Sequence, residues 1–360
     1  MSTQTAVPLP ASHKKPLIRR LLPDRSQKTR RIVQLVFLAL NAWIGLQFYL
    51  WVRYYEHGGQ TLYVPRPAGV EGWLPIAGLM NTKYLFLTGH VPVIHPAAMF
   101  LFLAFLLMSL LLKKAFCAWL CPIGTFSEAL WKLGRRFYGR NLHLPHWVDI
   151  PLRGLKYLLL GFFAFFIGTM SAEALQSFMF TPYGLITDVK MLNFFRDISL
   201  TGLAVLGLLV LLSTLIQNFW CRYLCPYGAL MGLVSLLSPV KIRRDETACI
   251  DCGKCAKVCP ASLPVDQLVQ IRSAECSACM VCVAACPAEH ALQLGLPPSR
   301  TPDPARRWTR RVLTPGTVTS AIAYIFFAFV LYAHITSHWQ TNMPRDVYMH
   351  LVPIANSLTH

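Results

Sequence analysis

The chain has 360 residues, of which 54% are hydrophobic and 14% are charged, and its mean hydropathy is +0.44. This composition is too apolar for an ordinary soluble protein of the same length, so it indicates a membrane protein. The formal net charge is +18. The basic runs at 28–31 and 306–311 adjoin predicted membrane segments, and the charge therefore predicts contact with anionic membrane lipid and no nucleic-acid partner.

The chain begins with a polar stretch that five apolar segments follow. Residues 1–31 are rich in basic residues and proline, which predicts a disordered cytoplasmic leader. About 20 apolar residues in a helix can span the hydrocarbon core of a bilayer. The predicted transmembrane helices cover residues 32–52, 91–112, 155–170, 199–216 and 316–336.

The basic residues predict how these helices are oriented. Lysine and arginine in short loops near membrane helices stay on the cytoplasmic side. If the N-terminus is cytoplasmic, nearly all of the 34 lysines and arginines fall on that side of the membrane. The six that fall outside are Arg53, Arg66, Lys83, Lys190, Arg196 and Arg345. The sequence thus predicts a multi-pass protein with a cytoplasmic N-terminus and an extracytoplasmic C-terminus.

A nine-residue pattern occurs twice between the predicted helices. Residues 116–124 read FCAWLCPIG, and residues 220–228 read WCRYLCPYG. Each copy follows a predicted transmembrane helix and precedes an apolar, helix-like stretch. The repeat predicts two membrane units, 32–140 and 141–240, which share one orientation and pack about a pseudo-two-fold axis along the membrane normal.

The four cysteines of these CxxxCP turns are candidates for an additional redox or metal site. Proline suits the first position of a helix, so the cysteine before each proline is predicted to cap a helix, where the helix dipole favours a thiolate. Such soft ligands suit copper(I) or an iron–sulfur centre. One shared four-thiolate site, two dithiol sites and structural packing of reduced thiols all remain open. The residues are Cys117, Cys121, Cys221 and Cys225.

The eight other cysteines form two copies of a C-x2-C-x2-C-x3-C-P run. This spacing is typical of bacterial ferredoxins, in which thiolates hold [4Fe–4S] clusters. Structural zinc is unlike this pattern, because zinc sites usually show separated cysteine pairs. Disulfides need an oxidising compartment, and the predicted cytoplasmic position of this segment excludes them. The first copy contains Cys249, Cys252, Cys255 and Cys259, and the second contains Cys276, Cys279, Cys282 and Cys286.

The spacing also predicts that the two clusters exchange ligands. Three cysteines two residues apart can wrap one face of a cubane, whereas the fourth, just before proline, completes the cluster of the other run. The predicted first cluster is held by Cys249, Cys252, Cys255 and Cys286, and the second by Cys276, Cys279, Cys282 and Cys259.

The paired CxxxCP turns followed by two ferredoxin runs resemble the polytopic membrane ferredoxins of the NapH, NosR and CcoG group. The resemblance covers roughly residues 34–296. It implies electron transfer at a bacterial cell inner membrane, in periplasmic nitrate reduction, nitrous oxide reduction or the assembly of a copper-containing oxidase.

Three functions fit these features. The first is an electron-transfer protein between a quinone pool or cytoplasmic donor and a periplasmic reductase, its electron carrier or a maturation system. The second is a membrane cupric reductase or copper-handling assembly factor that uses the CxxxCP cysteines, and the third is a redox-sensing accessory protein. The sequence has no phosphate-binding glycine loop or GxGxxG fingerprint, so quinone or redox proteins are the expected electron partners.

The predicted architecture is an all-α polytopic membrane protein with about five transmembrane helices, an internal two-fold repeat and an inserted α+β ferredoxin domain with two [4Fe–4S] clusters. The ferredoxin domain covers 241–296, and a basic linker covers 297–315. The fifth helix, 316–336, and a periplasmic tail, 337–360, complete the chain.

Overall fold

The computed structural model describes residues 18–20, 24–142, 144–297 and 312–358. These residues are mainly helical and include a two-stranded sheet. Most of the predicted leader and of the basic linker, including the run at 306–311, lies outside the described residues.

The helices and strands follow one another along the chain as follows. They are α1 (Ser26–Glu56), α2 (Pro75–Thr88), α3 (Pro96–Leu111), α4 (Ala115–Trp119), α5 (Pro122–Tyr138), α6 (His146–Thr169), α7 (Ala172–Met179), α8 (Pro182–Leu185), α9 (Thr187–Arg196), α10 (Leu200–Leu215), α11 (Pro226–Val234), β1 (Lys241–Arg244), α12 (Lys254–Lys257), α13 (Val281–Ala285), β2 (Leu292–Gly295), α14 (Pro315–Ile335) and α15 (Arg345–Leu351). A 3-10 helix (Ala68–Trp73) precedes α2, a π-helical turn (Trp220–Leu224) precedes α11, and a second 3-10 helix (Ala355–Ser357) follows α15.

Three of the described helices, α1, α6 and α14, are long and apolar enough to cross a membrane. Helix α1 begins at Ser26, ahead of the predicted residue 32, and the predicted leader is therefore wrong for residues 26–31, which are helical. This end of the helix is held by an ion pair, because Arg30 contacts Glu128 of α5 at 2.5 Å.

The other two predicted spans are shorter helices. Helices α3 and α10 contain 16 residues each. At 1.5 Å per residue they extend about 24 Å, which is less than a hydrocarbon core of about 30 Å. Helix α3 packs against α2 and α14 and is buried along most of its length, whereas α10 follows α9 after a bend of 82°. The described part of the chain thus has three candidate spans, and the count of five stays a prediction.

Helix α5 packs on α10 at a glycine. A Cβ atom on Gly134 would stand 1.9 Å from the carbonyl oxygen of Thr214, so a larger residue could not occupy this crossing without moving the backbone. Asn141 supports the same contact, because its Nδ2 donates to the carbonyl oxygens of Trp131 and Thr214 at 3.0 and 3.3 Å. This packing holds the helix after the first CxxxCP turn against the helix before the second.

A buried group of charged side chains lies at the end of α3 away from the CxxxCP turns. Arg66 donates through Nη1 to Glu71 Oε1 at 2.8 Å and through Nη2 to Asp188 at 2.6 Å. Thr341 donates to the same Glu71 oxygen at 2.9 Å, and the Ala98 amide donates to the other oxygen at 3.2 Å. Burial alone would raise the pKa of Glu71, but the charge of Arg66 and the hydrogen bond with His95 lower it to about 2.

The stability that Glu71 contributes is expected to depend on pH. Its folded-state pKa lies below the ordinary value of 4.5, so the contribution is complete above about pH 4.5 and is lost as the pH falls toward 2. We expect Glu71→Gln to destabilise the protein at pH 7 by about 3 kcal/mol or more, because it breaks a buried ion pair. Thermal unfolding in detergent at pH 7, 5 and 3 measures this, and the variant should lose less further stability on acidification than the wild type.

A matched control for this prediction is Glu56→Gln. Glu56 pairs with Arg196 at 2.7 Å in an exposed position, and surface ion pairs contribute only about 0–1 kcal/mol. Equal unfolding midpoints for the two variants at pH 7 would contradict the role assigned to Glu71.

The ferredoxin domain begins and ends with strands that pair with each other. Strands β1 and β2 are antiparallel, with Lys241 opposite Gly295 and Arg244 opposite Leu292. The chain therefore enters and leaves the domain at one place. Between the strands, α12 and α13 each follow a cysteine loop.

Candidate iron–sulfur centres

The two ferredoxin cysteine loops follow the same backbone path. In the first loop, Asp251 and Gly253 have φ angles of 56° and 66°, and in the second, Ala278 and Met280 have angles of 52° and 58°. These residues stand two and four positions after the first cysteine of each run. Left-handed backbone costs about 1–2 kcal/mol for a residue other than glycine, and such strain concentrates at functional sites. Each loop thus curls around the space between its cysteines before α12 or α13 begins.

The structure groups the eight ferredoxin cysteines into two sets of four, each around its own cavity. The first set consists of Cys249, Cys252, Cys255 and Cys286 and lines a small cavity of about 20 Å³. The second set consists of Cys276, Cys279, Cys282 and Cys259 and lines a larger cavity of about 100 Å³. In each set the fourth cysteine comes from the other run. Among the described residues, no three His, Cys, Asp or Glu side chains are close enough to hold a single ion.

The donor chemistry of both sets fits a [4Fe–4S] cluster, because a cluster of this kind takes four cysteine thiolates and each set supplies four thiols. Burial raises the pKa of Cys259 to about 11, so its proton must leave when iron binds. Cys252 is exposed and Cys282 is buried. The first set therefore lies toward solvent, and the second lies inside the molecule.

The cysteines of the CxxxCP turns form a third set beside the second. Cys117 and Cys221, one from each turn, line the same cavity as the second set. Cys121 and Cys225 are the N-cap residues of α5 and α11, and each precedes a proline, which confirms the predicted caps. The amide of Gly228 donates to Cys225 Sγ at 3.2 Å, as a side chain at a helix N-cap commonly accepts.

The four thiols of the third set lie within electrostatic range of one another. Burial raises the pKa of Cys121 to about 12, and the neighbouring thiols of Cys117 and Cys225 add to this effect. Burial also raises the pKa of Cys221, with further contributions from Cys225, Cys121 and Cys117. The structure thus brings the two turns of the sequence repeat together in one thiol-rich space.

The loop of the second ferredoxin run is bound to the membrane part through its own backbone. Trp119, inside the first CxxxCP turn, donates through Nε1 to the carbonyl oxygen of Ala278 at 3.3 Å. Gln27 at the start of α1 donates to the carbonyl oxygen of Cys279 at 2.9 Å. The second set is therefore fixed relative to the third.

Helix α6 adds an ion pair to the same contact. Lys156 donates to both carboxylate oxygens of Glu275 at 2.6 and 2.7 Å, and the Tyr157 hydroxyl donates to this carboxylate at 3.2 Å. The side chain of Lys156 is fully buried, and Glu275 directly precedes Cys276. Because removing one partner of a buried pair costs about 3–5 kcal/mol, this contact strongly specifies how the ferredoxin domain docks.

Residues 18–20 run along the ferredoxin domain beside the first set. The Arg20 amide donates to the carbonyl oxygen of Pro287 at 3.1 Å, and the Glu289 amide donates to that of Ile18 at 2.9 Å. The Arg20 guanidinium also donates to the carbonyl oxygen of Val283 at 3.2 Å. The prediction of a wholly disordered leader is therefore wrong for these three residues as well.

Two family profiles and a curated relative match the chain. A profile described as a 4Fe-4S binding domain matches residues 94–141 and again 198–245, and a profile described as a 4Fe-4S dicluster domain matches residues 241–287. The putative electron transport protein YccM of Escherichia coli K12 is 50% identical over 331 residues, which cover 92% of this chain and 91% of YccM. This chain belongs to the membrane-bound [4Fe–4S] ferredoxin-type family.

Other members of this ferredoxin-type family are more distant. The ferredoxin-type protein NapH of Escherichia coli K12 is 24% identical over 270 residues, or 71% of this chain and 85% of NapH. The regulatory protein NosR of Pseudomonas aeruginosa is 30% identical over 192 residues, or 51% of this chain and 25% of NosR. No solved structure matches the chain. The protein is thus an iron–sulfur electron-transport protein, and the three apolar helices among the residues that the structure describes indicate an inner-membrane protein.

Arg222, a charged residue that the sequence analysis did not identify, connects three parts of this ferredoxin-type protein. Arg222 donates through Nη2 to Asp149 at 2.8 Å and through Nη1 to Ser262 at 3.2 Å. It thereby joins the first turn of α6, the second CxxxCP turn and the ferredoxin loop after Cys259. The available signal was its place in the repeat, because the corresponding residue of the first turn is Ala118.

Proposed function

We propose that this ferredoxin-type protein passes electrons along its three sets of cysteines, between a redox partner at the surface of the ferredoxin domain and a quinone or protein partner at the membrane. The observation that carries the proposal is the cavity that the second set shares with Cys117 and Cys221. Two sets that line one cavity are direct neighbours, so the ferredoxin domain and the CxxxCP turns form a continuous row.

The order of the three cysteine sets follows from the solvent exposure of the first set and from the two short helices, α12 and α13, that connect the first set with the second. The first set is the point of exchange with a soluble partner, because Cys252 is exposed. Helix α12 contains Cys255 of the first set and is followed by Cys259 of the second, while α13 contains Cys282 of the second and is followed by Cys286 of the first. Each helix and the residues directly after it thus supply one ligand to each set, which keeps the two sets at a fixed separation.

We further propose that the third set holds a [4Fe–4S] cluster shared by the two repeats. Each match of the 4Fe-4S binding profile contains only two cysteines, so four ligands require both matches. The N-terminal ends of α5 and α11 favour thiolates at Cys121 and Cys225 through the helix dipole. A cluster bound there would accept and release one electron at a time.

The proposed orientation places the ferredoxin domain in the cytoplasm. All five predicted helices would cross the inner membrane, and the two CxxxCP units would be related by a pseudo-two-fold axis. The support is the concentration of lysine and arginine in segments 1–31, 113–154 and 217–315, which the alternation of the predicted helices puts on the same side as the ferredoxin domain. In this orientation a quinone would bind between the paired helices near the third set, and a periplasmic reductase or its carrier would be the partner at the opposite end.

Iron and sulfide analysis of anaerobically purified protein, with EPR of the reduced state, tests the proposal. The comparison is between wild type and a variant in which Cys117, Cys121, Cys221 and Cys225 are replaced by serine. We expect about 12 irons per wild-type chain and about 8 in the variant, with the signals of the ferredoxin sets unchanged. About 8 irons in both proteins would contradict a third cluster, and copper bound by the wild type alone would assign the third set to that metal.

A further inference from the structure

A lysine side chain without a partner points to a function in the second cavity. Lys114 precedes α4 and stands three residues before Cys117. It is only 6% exposed and lines the cavity that the second set shares with the third. Within the described part of the chain, its ammonium makes no hydrogen bond and no ion pair.

The other buried cations among the described residues all have partners. The ammonium of Lys113 donates to the carbonyl oxygen of Ser273, although Lys113 is the direct neighbour of Lys114. The remaining pairs are Arg30 with Glu128, Lys156 with Glu275, Lys241 with the carbonyl oxygen of Leu236, and Arg244 with Glu246. Among the buried cations of the described residues, Lys114 is therefore the exception, because the others each have a hydrogen-bond or ion-pair partner.

A buried charge without a partner is strongly unfavourable, so the ammonium of Lys114 favours an anion in the cavity that it lines. The groups in electrostatic range that become anionic when they lose a proton are Cys117, Glu275, Cys225 and Cys221. Glu275 already binds Lys156 through both of its oxygens. The remaining candidates are the thiols of the third set, and a cluster with four thiolate ligands is anionic.

We infer that the ammonium of Lys114 is the counter-charge of the anionic centre held by the third set, and that it raises the reduction potential of this centre. The inference rests on the proposed function, because it requires a centre at these cysteines. Reduction adds one electron to the centre and leaves all bonds in place, and the electron comes from the neighbouring ferredoxin domain. A fixed positive charge favours the more negative, reduced state, and it does so most strongly in an enclosed site of low dielectric.

The consequence is a direction for electron flow. A raised potential at the third set favours electron flow from the exposed first set through the second set toward the membrane. Lys114 would act only through its positive charge, since it supplies no ligand to the centre.

The test is a redox titration of purified holoprotein followed by EPR, on wild type and three variants. Lys114→Met removes the charge and keeps a side chain of similar length, while Lys114→Arg keeps the charge. Lys28→Met removes the same charge from an exposed position on α1 and controls for net charge. Iron content is measured on each sample, so that loss of a cluster is distinguished from a change of its potential.

We expect the midpoint potential of the third centre to fall in Lys114→Met, with iron content unchanged, and to stay near the wild-type value in Lys114→Arg and Lys28→Met. The potential of the first set should be the same in all four proteins. An unchanged third-centre potential in Lys114→Met, at full iron content, would overturn the inference while leaving the proposed function intact. Absence of a third centre in the wild type would overturn both.

Discussion

Replacing Cys259 by alanine is expected to abolish the same cluster as replacing Cys276, even though the two residues belong to different cysteine runs. Both side chains line the second cavity, whereas Cys249 and Cys286 line the first. We therefore expect Cys259→Ala and Cys276→Ala to lose about four irons per chain and to show the same residual EPR spectrum. Cys249→Ala and Cys286→Ala should share a different residual spectrum.

The four variants control one another, because each removes one thiol from the same small domain. All four should also unfold more readily, since metal binding contributes to the stability of a domain of this size. If Cys259→Ala shared its spectrum with Cys249→Ala instead, each run would hold its own cluster, and the crossed assignment would be wrong.

Replacing Gly124 by alanine is expected to damage the third set far more than the equivalent change at Gly228. The two glycines occupy the same position of the repeated turn. A Cβ atom on Gly124 would stand 2.4 Å from the carbonyl oxygen of Cys117, whereas one on Gly228 would lie 3.4 Å from Cys225 Sγ, which is an ordinary contact. The first turn must therefore shift away from α5 in Gly124→Ala, at a cost of about 1–3 kcal/mol.

The two variants are compared by iron content and by thermal unfolding in detergent. Gly124→Ala should unfold at a lower temperature and lose the iron of the third set, while Gly228→Ala should resemble the wild type in both respects. Helical propensity cannot account for such a difference, because Gly→Ala favours each helix by the same amount of about 1 kcal/mol. Equal behaviour of the two variants would show that the first turn tolerates the displacement.

The cysteine chemistry was predictable because it is encoded by local spacing. The runs of cysteine and proline predict tight loops around each cluster, and the structure has such loops, each of which leads into a short helix, α12 or α13. The caps at Cys121 and Cys225 were predictable for the same reason, since proline at the first helical position is a local preference. The left-handed conformations of Ala278 and Met280 were not, because neither residue type favours them.

Each of the five predicted membrane segments contains a helix in the structure, but several of these helices begin at other residues than predicted. Apolar composition locates a helix, whereas its ends are set by contacts with other parts of the chain. Helix α1 begins at Ser26, before the apolar stretch, because polar residues in its first turns have partners: Gln27 donates to the ferredoxin domain and Arg30 pairs with Glu128 of α5. Helix α3 ends at Leu111, close to the predicted residue 112.

The charged contacts between the two parts of the molecule were outside the reach of the sequence. Lys156 and Glu275 are 119 positions apart, and no local pattern relates them. Lys156 lies in a segment predicted to cross the membrane, where its charge was the only sign of a special role. The role of Lys114 was likewise not predictable, because a basic residue after an apolar helix ordinarily indicates only the cytoplasmic side of a membrane.

Because β1 pairs with β2, the ferredoxin domain can be inserted into another protein as a single unit. Because the chain enters and leaves at adjacent strands, a host protein needs only two chain ends about 5 Å apart to accommodate it. Insertion at such a point leaves the path of the surrounding helices unchanged, as is usual where the ends of a domain lie close together. Evolution could therefore add this domain to a membrane protein in a single event without changing the order of the surrounding helices.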